Sequence, residues 1–248
     1  MKKQFGQHFL VDANILGVIE RLAELGPDDV VLEIGPGEGV LTRYLAERVH
    51  HVHAVEIDRD LEPRLRDIAP NADVVYGDAL QLELPQDATK LVANLPYNVA
   101  TPLIAESLDG LPNVGLWCVM VQREVADRFF AAPSTKDYGA VSVLVQLAAE
   151  RTGFHPVSRS VFRPPPNVDS ALVAFRRTEL PANFARIKQV VSAAFSHRRK
   201  TLPNSLAHAG LASKGRAVAA LDTLGRPEST RAEALTPREF VALAEALG

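Results

Sequence analysis

The chain reads as an α/β protein: a mostly parallel, doubly wound sheet with an antiparallel closing strand, then a small all-α C-terminal domain. Three observations predict this. Short β-branched runs alternate with helix-period segments through the first two thirds of the chain. The strand-like runs end on glycine, asparagine or an acid. Beyond Pro181-Ala182-Asn183, which reads as a linker, only helical periodicity remains. The division expected is residues 1–180 and 183–248.

Val30–Ile34 is the first strand; it ends in Gly35-Pro36-Gly37-Glu38-Gly39 and feeds the helical pattern Leu41–Val49. His51–Asp58 reads as the second strand, followed by a helix over Leu61–Ile68. Val74-Val75-Tyr76 ends at Gly77-Asp78, and Lys90–Ala93 ends at Asn94-Leu95-Pro96-Tyr97-Asn98. Val114–Val121 is a fifth, buried strand. Val141–Ala149 is helical, and strands near Gly153–Val157 and Ser170–Phe175 have no full helix between them, which predicts the antiparallel edge. The C-terminal helices are Phe184–Phe195, Thr201–Ala207, Ala217–Leu224 and Pro237–Leu247. The last is announced by Thr236-Pro237-Arg238-Glu239: an N-cap, a proline at the first helical position and an acid in the first turn.

Composition narrows the function classes. No apolar run approaches the ~18–20 residues that cross a bilayer, and Met1–Leu10 is too mixed for a targeting peptide. Cys118 is the only cysteine, which excludes an intramolecular disulfide and a thiolate zinc cluster and suits a core position. A cytoplasmic protein without membrane partner or metal is expected, with a monomer as the default. The net charge of −3 hides an asymmetry: residues 28–110 carry a balance of −10, residues 121–210 one of +7. Such a chain can offer phosphates a basic face; ordinary surface variation is the plainer alternative.

In an open parallel sheet ligands bind beyond the carboxyl ends of the strands, where the chemistry-bearing residues fall. Gly35, Gly37 and Gly39 turn the chain sharply and admit a ligand to the backbone. Glu56, with Ile57 beside it, ends the second strand, where a carboxylate can accept both ribose hydroxyls. Asp78 ends the third, where an adenine amine can be read. A dinucleotide would suit the same turn, but the third glycine of G-x-G-x-x-G is here Val40. A tight strand-to-helix turn without ligand also remains open.

Asn94-Leu95-Pro96-Tyr97 is more specific. The exocyclic nitrogen of adenine is a poor nucleophile because its lone pair is delocalised into the ring. An asparagine carbonyl and an adjacent peptide carbonyl can accept its two hydrogens, localise the lone pair and offset developing positive charge. Pro96 holds Leu95 extended and fixes those carbonyls. Tyr97 offers a ring for a flipped base, a contact of about 1–3 kcal/mol. The bland alternative is a proline turn with a buried tyrosine.

Together these segments resemble the KsgA-type small-subunit ribosomal RNA adenine N6-dimethyltransferases, almost end to end. Gln4-Phe5-Gly6-Gln7-His8-Phe9-Leu10, Glu33–Thr42, Asn94–Asn98, Phe162–Ser170 and Ala194–Leu202 resemble that family's five motifs in order. The resemblance implies a Rossmann-like methyltransferase domain and S-adenosyl-L-methionine as cofactor, contacted by His8, Leu10, Gly35, Glu56, Asp78 and Asn94; Gly37 and Ile57 are assigned to the same ligand. His8 stands where many members have asparagine, and either side chain can hydrogen-bond the methionine end. It implies dimethylation of two adjacent adenosines near the 3′ end of small-subunit rRNA, with Tyr97 and Phe162 near the target base. A core aromatic is the alternative for Phe162. The basic cluster Arg198-Arg199-Lys200 would meet rRNA phosphates, or else be a solvated face. The competing functions are a large-subunit rRNA methyltransferase of the macrolide-resistance type, a dinucleotide-dependent oxidoreductase and a non-enzymatic assembly factor. Tyr97-Asn98 and Val168-Asp169-Ser170 favour the small-subunit branch.

Overall fold

The computed structural model describes residues 8–10, 12–197 and 199–248. Gln4–Gln7 of the N-terminal motif and Arg198 of the basic cluster lie outside the described residues. In chain order the elements are β1 (Phe9–Leu10), α1 (Ala13–Ala23), β2 (Val30–Ile34), α2 (Val40–Ala46), β3 (His51–Glu56), α3 (Glu62–Leu65), β4 (Ala72–Tyr76), β5 (Lys90–Asn94), α4 (Ala100–Gly110), β6 (Leu116–Gln122) and α5 (Arg123–Phe129). There follow α6 (Ala140–Ala148), β7 (Ala149–Val157), β8 (Phe162–Arg163), β9 (Ser170–Arg177), α7 (Phe184–Phe195), α8 (Leu202–His208), α9 (Lys214–Thr223) and α10 (Pro237–Ala246). No helix of the described residues is long and apolar enough to cross a membrane.

By packing, the chain divides into two compact units: the residues up to Ala126 with Glu150–Arg177, and Asp127–Ala149 with Thr178–Gly248. This differs from the chain-order division expected near residue 183, because the segment around α6 is claimed by the later helices. The Tyr138 hydroxyl donates to the Leu235 carbonyl at 2.8 Å, and the Ser134 amide donates to Glu233 O at 2.8 Å. Tyr138 and Phe240 lie on Phe195 at centroid distances of 6.1 and 5.7 Å. Periodicity along the chain cannot show such a return.

In the first unit the main sheet runs β4-β3-β2-β5-β6-β9-β7. Strands β4, β3, β2, β5 and β6 pair in parallel; β9 runs antiparallel to β6, as the missing crossover helix predicts. The chain leaves β2 for β3 and β4, then returns to β5 on the other flank of β2. That reversal puts the switch point between β2 and β5. β6 has six of its seven residues buried, and α1 lays Ile15, Leu16, Ile19 and Ala23 onto the same core. Cys118 is fully buried there, and burial pushes its thiol up to about 12.

Arg177, at the end of β9, donates to the carbonyls of Leu108, Leu111 and Val114 at 2.6–2.7 Å, satisfying the C-terminal end of α4 and the loop after it. Its guanidinium lies 4.8 Å from the Trp117 ring centroid, and that ring stacks on Phe175. In the second unit the capping box at α10 forms as the sequence implies. Glu239 N donates to Thr236 Oγ1 at 3.2 Å, and Thr236 N donates to Glu239 Oε2 at 2.8 Å.

Candidate active site

The glycine turn closes β2 onto α2 with Gly35, Gly37 and Gly39 all at positive φ, 77°, 60° and 78°. Any L residue would be strained there. At Gly37 a Cβ would also crowd the Phe9 ring at 3.0 Å. The turn is pinned at both ends. Gly35 N donates to the Val55 carbonyl at 2.9 Å, and Gly37 N to Glu56 Oε2 at 3.0 Å.

Glu56 ends β3 and is 4% exposed. Its other oxygen, Oε1, accepts from Asp58 N at 2.9 Å. Burial raises the carboxyl above its ordinary range, opposed by those two peptide N–H groups. Ile57, directly after it, is 47% exposed on the same cleft, a large apolar side chain facing outward where a core residue would hide. Asp78, beyond the end of β4, also lines the cleft; its Oδ1 accepts from Leu80 N at 2.9 Å, closing a turn of its own.

Across the switch point stands Asn94, the last residue of β5. Its Nδ2 donates to the main-chain carbonyl of His8 at 3.2 Å. Among the described residues Oδ1 has no hydrogen-bond partner, and Asn94 lines the cleft. The Leu95 amide is held by Met120 O at 3.0 Å. The Pro96 carbonyl is consumed by Val99 N and Ala100 N as α4 begins, while no such bond among the described residues engages the Leu95 carbonyl. Two acceptors are therefore left at the strand end, side by side in sequence.

Tyr97 is half-buried, and its hydroxyl is 2.6 Å from Ser170 Oγ, the first residue of β9. Its ring stacks on the His8 imidazole at 5.9 Å. His8 Nδ1 in turn meets Pro164 O at 2.8 Å. Three of the five motifs thus line one cleft in the first unit, and a fourth, Phe162–Ser170, backs it through Pro164 and Ser170. Ser170 and Glu33 were not singled out by sequence reading. Ser170 offered only its place in a motif; Glu33 offered a better signal, an acid inside the apolar run Val-Val-Leu-Glu-Ile.

Phe162 departs from expectation. It is 3% exposed, pairs opposite Leu10 in the β1–β8 ladder and belongs to the core cluster, so its ring does not line the cleft. Leu10 does line it, while remaining 5% exposed. Arg199 and Lys200 belong to the second unit and are exposed.

An open sheet whose switch point carries a glycine turn, a strand-end carboxylate and Asn-Leu-Pro-Tyr defines a Rossmann-like methyltransferase. Residues 1–247 match the ribosomal RNA adenine dimethylase family, and the chain belongs to it. It is 47% identical over 249 residues to the ribosomal RNA small subunit methyltransferase A of Rubrobacter xylanophilus, covering 98% of this chain and 93% of the relative. Among solved structures it resembles a dimethyladenosine transferase from Plasmodium falciparum, with TM-score 0.78, 27% identity and coverage of 95% and 96%. It also resembles the 23S rRNA methyltransferase ErmE, with TM-score 0.65, 32% identity and coverage of 96% and 99%. A dinucleotide-dependent oxidoreductase finds no support here, and the more similar small-subunit relative outweighs the large-subunit alternative.

Glu33 yields a pH prediction. It is 1% exposed at the floor of the cleft, and neither its Oε2 nor the Thr42 hydroxyl makes a hydrogen bond among the described residues. Burial first, and the charge of Glu56 as well, lift its carboxyl to about 8. The folded chain then holds a proton that the unfolded chain has shed. The group's contribution is complete below the ordinary glutamate value and is lost as pH rises toward about 8, at up to about 1.4 kcal/mol per pH unit. Urea unfolding of the ligand-free protein across that window should show a fall that Glu33→Gln flattens. Parallel stability curves for the two proteins would refute the buried, protonated carboxyl.

Proposed function

We propose that the protein transfers methyl groups from S-adenosyl-L-methionine to N6 of two adjacent adenosines near the 3′ end of small-subunit rRNA, acting as a monomer on the assembling subunit in the cytoplasm. One observation carries this reading. The Asn94 amide nitrogen is spent on the His8 carbonyl, so Oδ1 remains as an acceptor beside the unengaged Leu95 carbonyl.

The residues present suit the cofactor. Each oxygen of Glu56 holds one peptide N–H and keeps lone-pair capacity for a ribose hydroxyl. Exposed Ile57 gives an adenine ring an apolar face, and Gly35 and Gly37 present bare backbone to the cleft. Asp78 retains Oδ2 for an amine. When bound, the cofactor supplies an electrophilic methyl carbon on a sulfonium.

The chain's own part is positioning. Asn94 Oδ1 and Leu95 O accept the two amine hydrogens of the target adenine and turn its nitrogen lone pair out of conjugation. Tyr97, tethered through its hydroxyl to Ser170 and backed by His8, presents a ring that is already immobilised for stacking. The nitrogen becomes acidic once alkylated, so water can take its proton and no side-chain base is needed. Exposed Arg199 and Lys200, with Arg198, serve rRNA phosphates.

Unmethylated small-subunit rRNA treated with the purified protein should yield dimethyladenosine at two neighbouring positions by mass spectrometry. Asn94→Ala should lower the rate by at least about 100-fold with the fold retained by circular dichroism. Modification confined to large-subunit rRNA, or a near-normal rate in the variant, would overturn the assignment. Glu56→Ala should weaken S-adenosylhomocysteine binding roughly 10–100-fold in calorimetry, the equivalent of about 1.5–3 kcal/mol; unchanged affinity would remove Glu56 from the cofactor site. Neutralising Arg198 and Arg199 should flatten the salt dependence of RNA binding by about one unit of log–log slope per lost phosphate contact. An unaltered slope would return them to solvent.

A further inference from the structure

At the amino ends of the sheet strands, away from the cleft, lies a second convergence of side chains. His51 and His53 are two apart on β3 and so share one face, while Val52 and Ala54 between and beyond them are buried on the other. Asp73, on neighbouring β4, is the register partner of His53. Asp87 comes from the segment before β5.

The ring centroids of His51 and His53 are 4.5 Å apart. His51 Nε2 lies 3.1 Å from Asp73 Oδ2, and His53 Nε2 lies 3.2 Å from Asp87 Oδ1. Donor atoms of His51, His53 and Asp73 all lie within 4.8 Å of one another. The imidazoles are 24% and 21% exposed, and the carboxylates are 73% and 66% exposed; Asp87 lies outside that group, on His53 alone, with Oδ2 also 3.3 Å from His53 Nε2.

One atom makes this more than a pair of surface ion contacts. His51 Nε2 is shut off from solvent and makes no hydrogen bond among the described residues, although a carboxylate oxygen stands at contact distance. If the nitrogen carries its lone pair, two acceptors face each other; if it carries a proton, the angle wastes it. A cation between them removes both difficulties.

We propose that His51, His53 and Asp73, with Asp87 as the fourth ligand, form a binding site for a divalent transition-metal ion of the zinc class. Two imidazoles with two carboxylates are a donor set for zinc, cobalt or nickel, and a poor one for magnesium or calcium, which take oxygen cages. Four protein ligands would leave no open position, so the ion is structural: it ties β3, β4 and the approach to β5 together. His53 precedes Glu56 by three residues, about 10 Å along a strand, which keeps the ion clear of the methyl-transfer cleft. Sequence reading expected no metal, because two of the four ligands join the histidines only through strand pairing and a loop.

The test uses the full chain, stripped with a chelator and titrated with Zn²⁺ against a chromophoric competitor, with Co²⁺ as a spectroscopic probe. One equivalent should bind, the Co²⁺ complex should show the intense visible bands of tetrahedral coordination, and Zn²⁺ should raise the melting temperature. His51→Gln/His53→Gln should lose all three effects yet bind S-adenosylhomocysteine as the parent does. Should that variant fail to fold, Asp73→Asn, on an exposed carboxylate, should still weaken Zn²⁺ binding by more than about tenfold. The proposal falls if no equivalent is taken up, or if uptake survives both variants, which would place the ion elsewhere, for instance at the His197–His208 pair with rings 4.4 Å apart.

Discussion

The single hydrogen bond from the Asn94 side-chain amide to the His8 carbonyl decides how the cleft is used. A carboxamide carries a donor end and an acceptor end, and committing the donor to main chain leaves the acceptor as the end available to a ligand. The commitment also holds the segment at His8–Leu10 over the switch point, where Phe9 closes against Gly37 and His8 backs Tyr97. The glycine turn, the strand-end carboxylate and the tyrosine would still exist without that bond. They would not share a wall.

Around this bond the cleft is largely apolar, and the hydrogen-bonding side chains that line it are chiefly acceptors. Glu56, Asp78 and Asn94 line it beside Leu95, while among the described residues no lysine or arginine does. An acceptor-rich, partly buried slot favours a cationic cofactor and an amine-bearing base, and disfavours the pyrophosphate of a dinucleotide, which needs donors. The electrostatics and the family membership therefore lead to the same chemistry by separate routes.

Much of this was legible in the sequence, and the reason is local. Strand-end residues announce themselves by where an apolar run stops, so Gly35, Glu56, Asp78 and Asn94 could be placed before any pairing was known. What escaped depends on contacts distant in sequence. Helices α1 and α4 went unassigned, although Asp12 caps α1 through Asn14 N. The stretch Leu61–Ile68 forms only a 3₁₀ turn and the short α3, since Pro63 permits a helix start and Asp67 at φ 58° stops it. The resemblance alone assigns Phe162 to the target base, with a core aromatic as the alternative; the two-residue ladder with β1 places its ring among core residues. The assignment of α6 to the helical unit rests on Tyr138, whose partners come almost 100 residues later.

The antiparallel course of β9 beside β6 has a geometric consequence. Parallel strands can bring only their final residues to a ligand, whereas β9, reversed beside β6, brings its first: Ser170 sits opposite Gln122, the end of β6. The tether for Tyr97 is thereby supplied from 73 positions away, by the part of the chain that enters the sheet last in this unit to reach the cleft. A slip of one residue in the β6–β9 pairing would present Ala171 in place of Ser170 and leave the phenol without its anchor, although every backbone hydrogen bond of the sheet could be re-formed. Register in the β6–β9 pair is thus a condition on base capture as well as on folding.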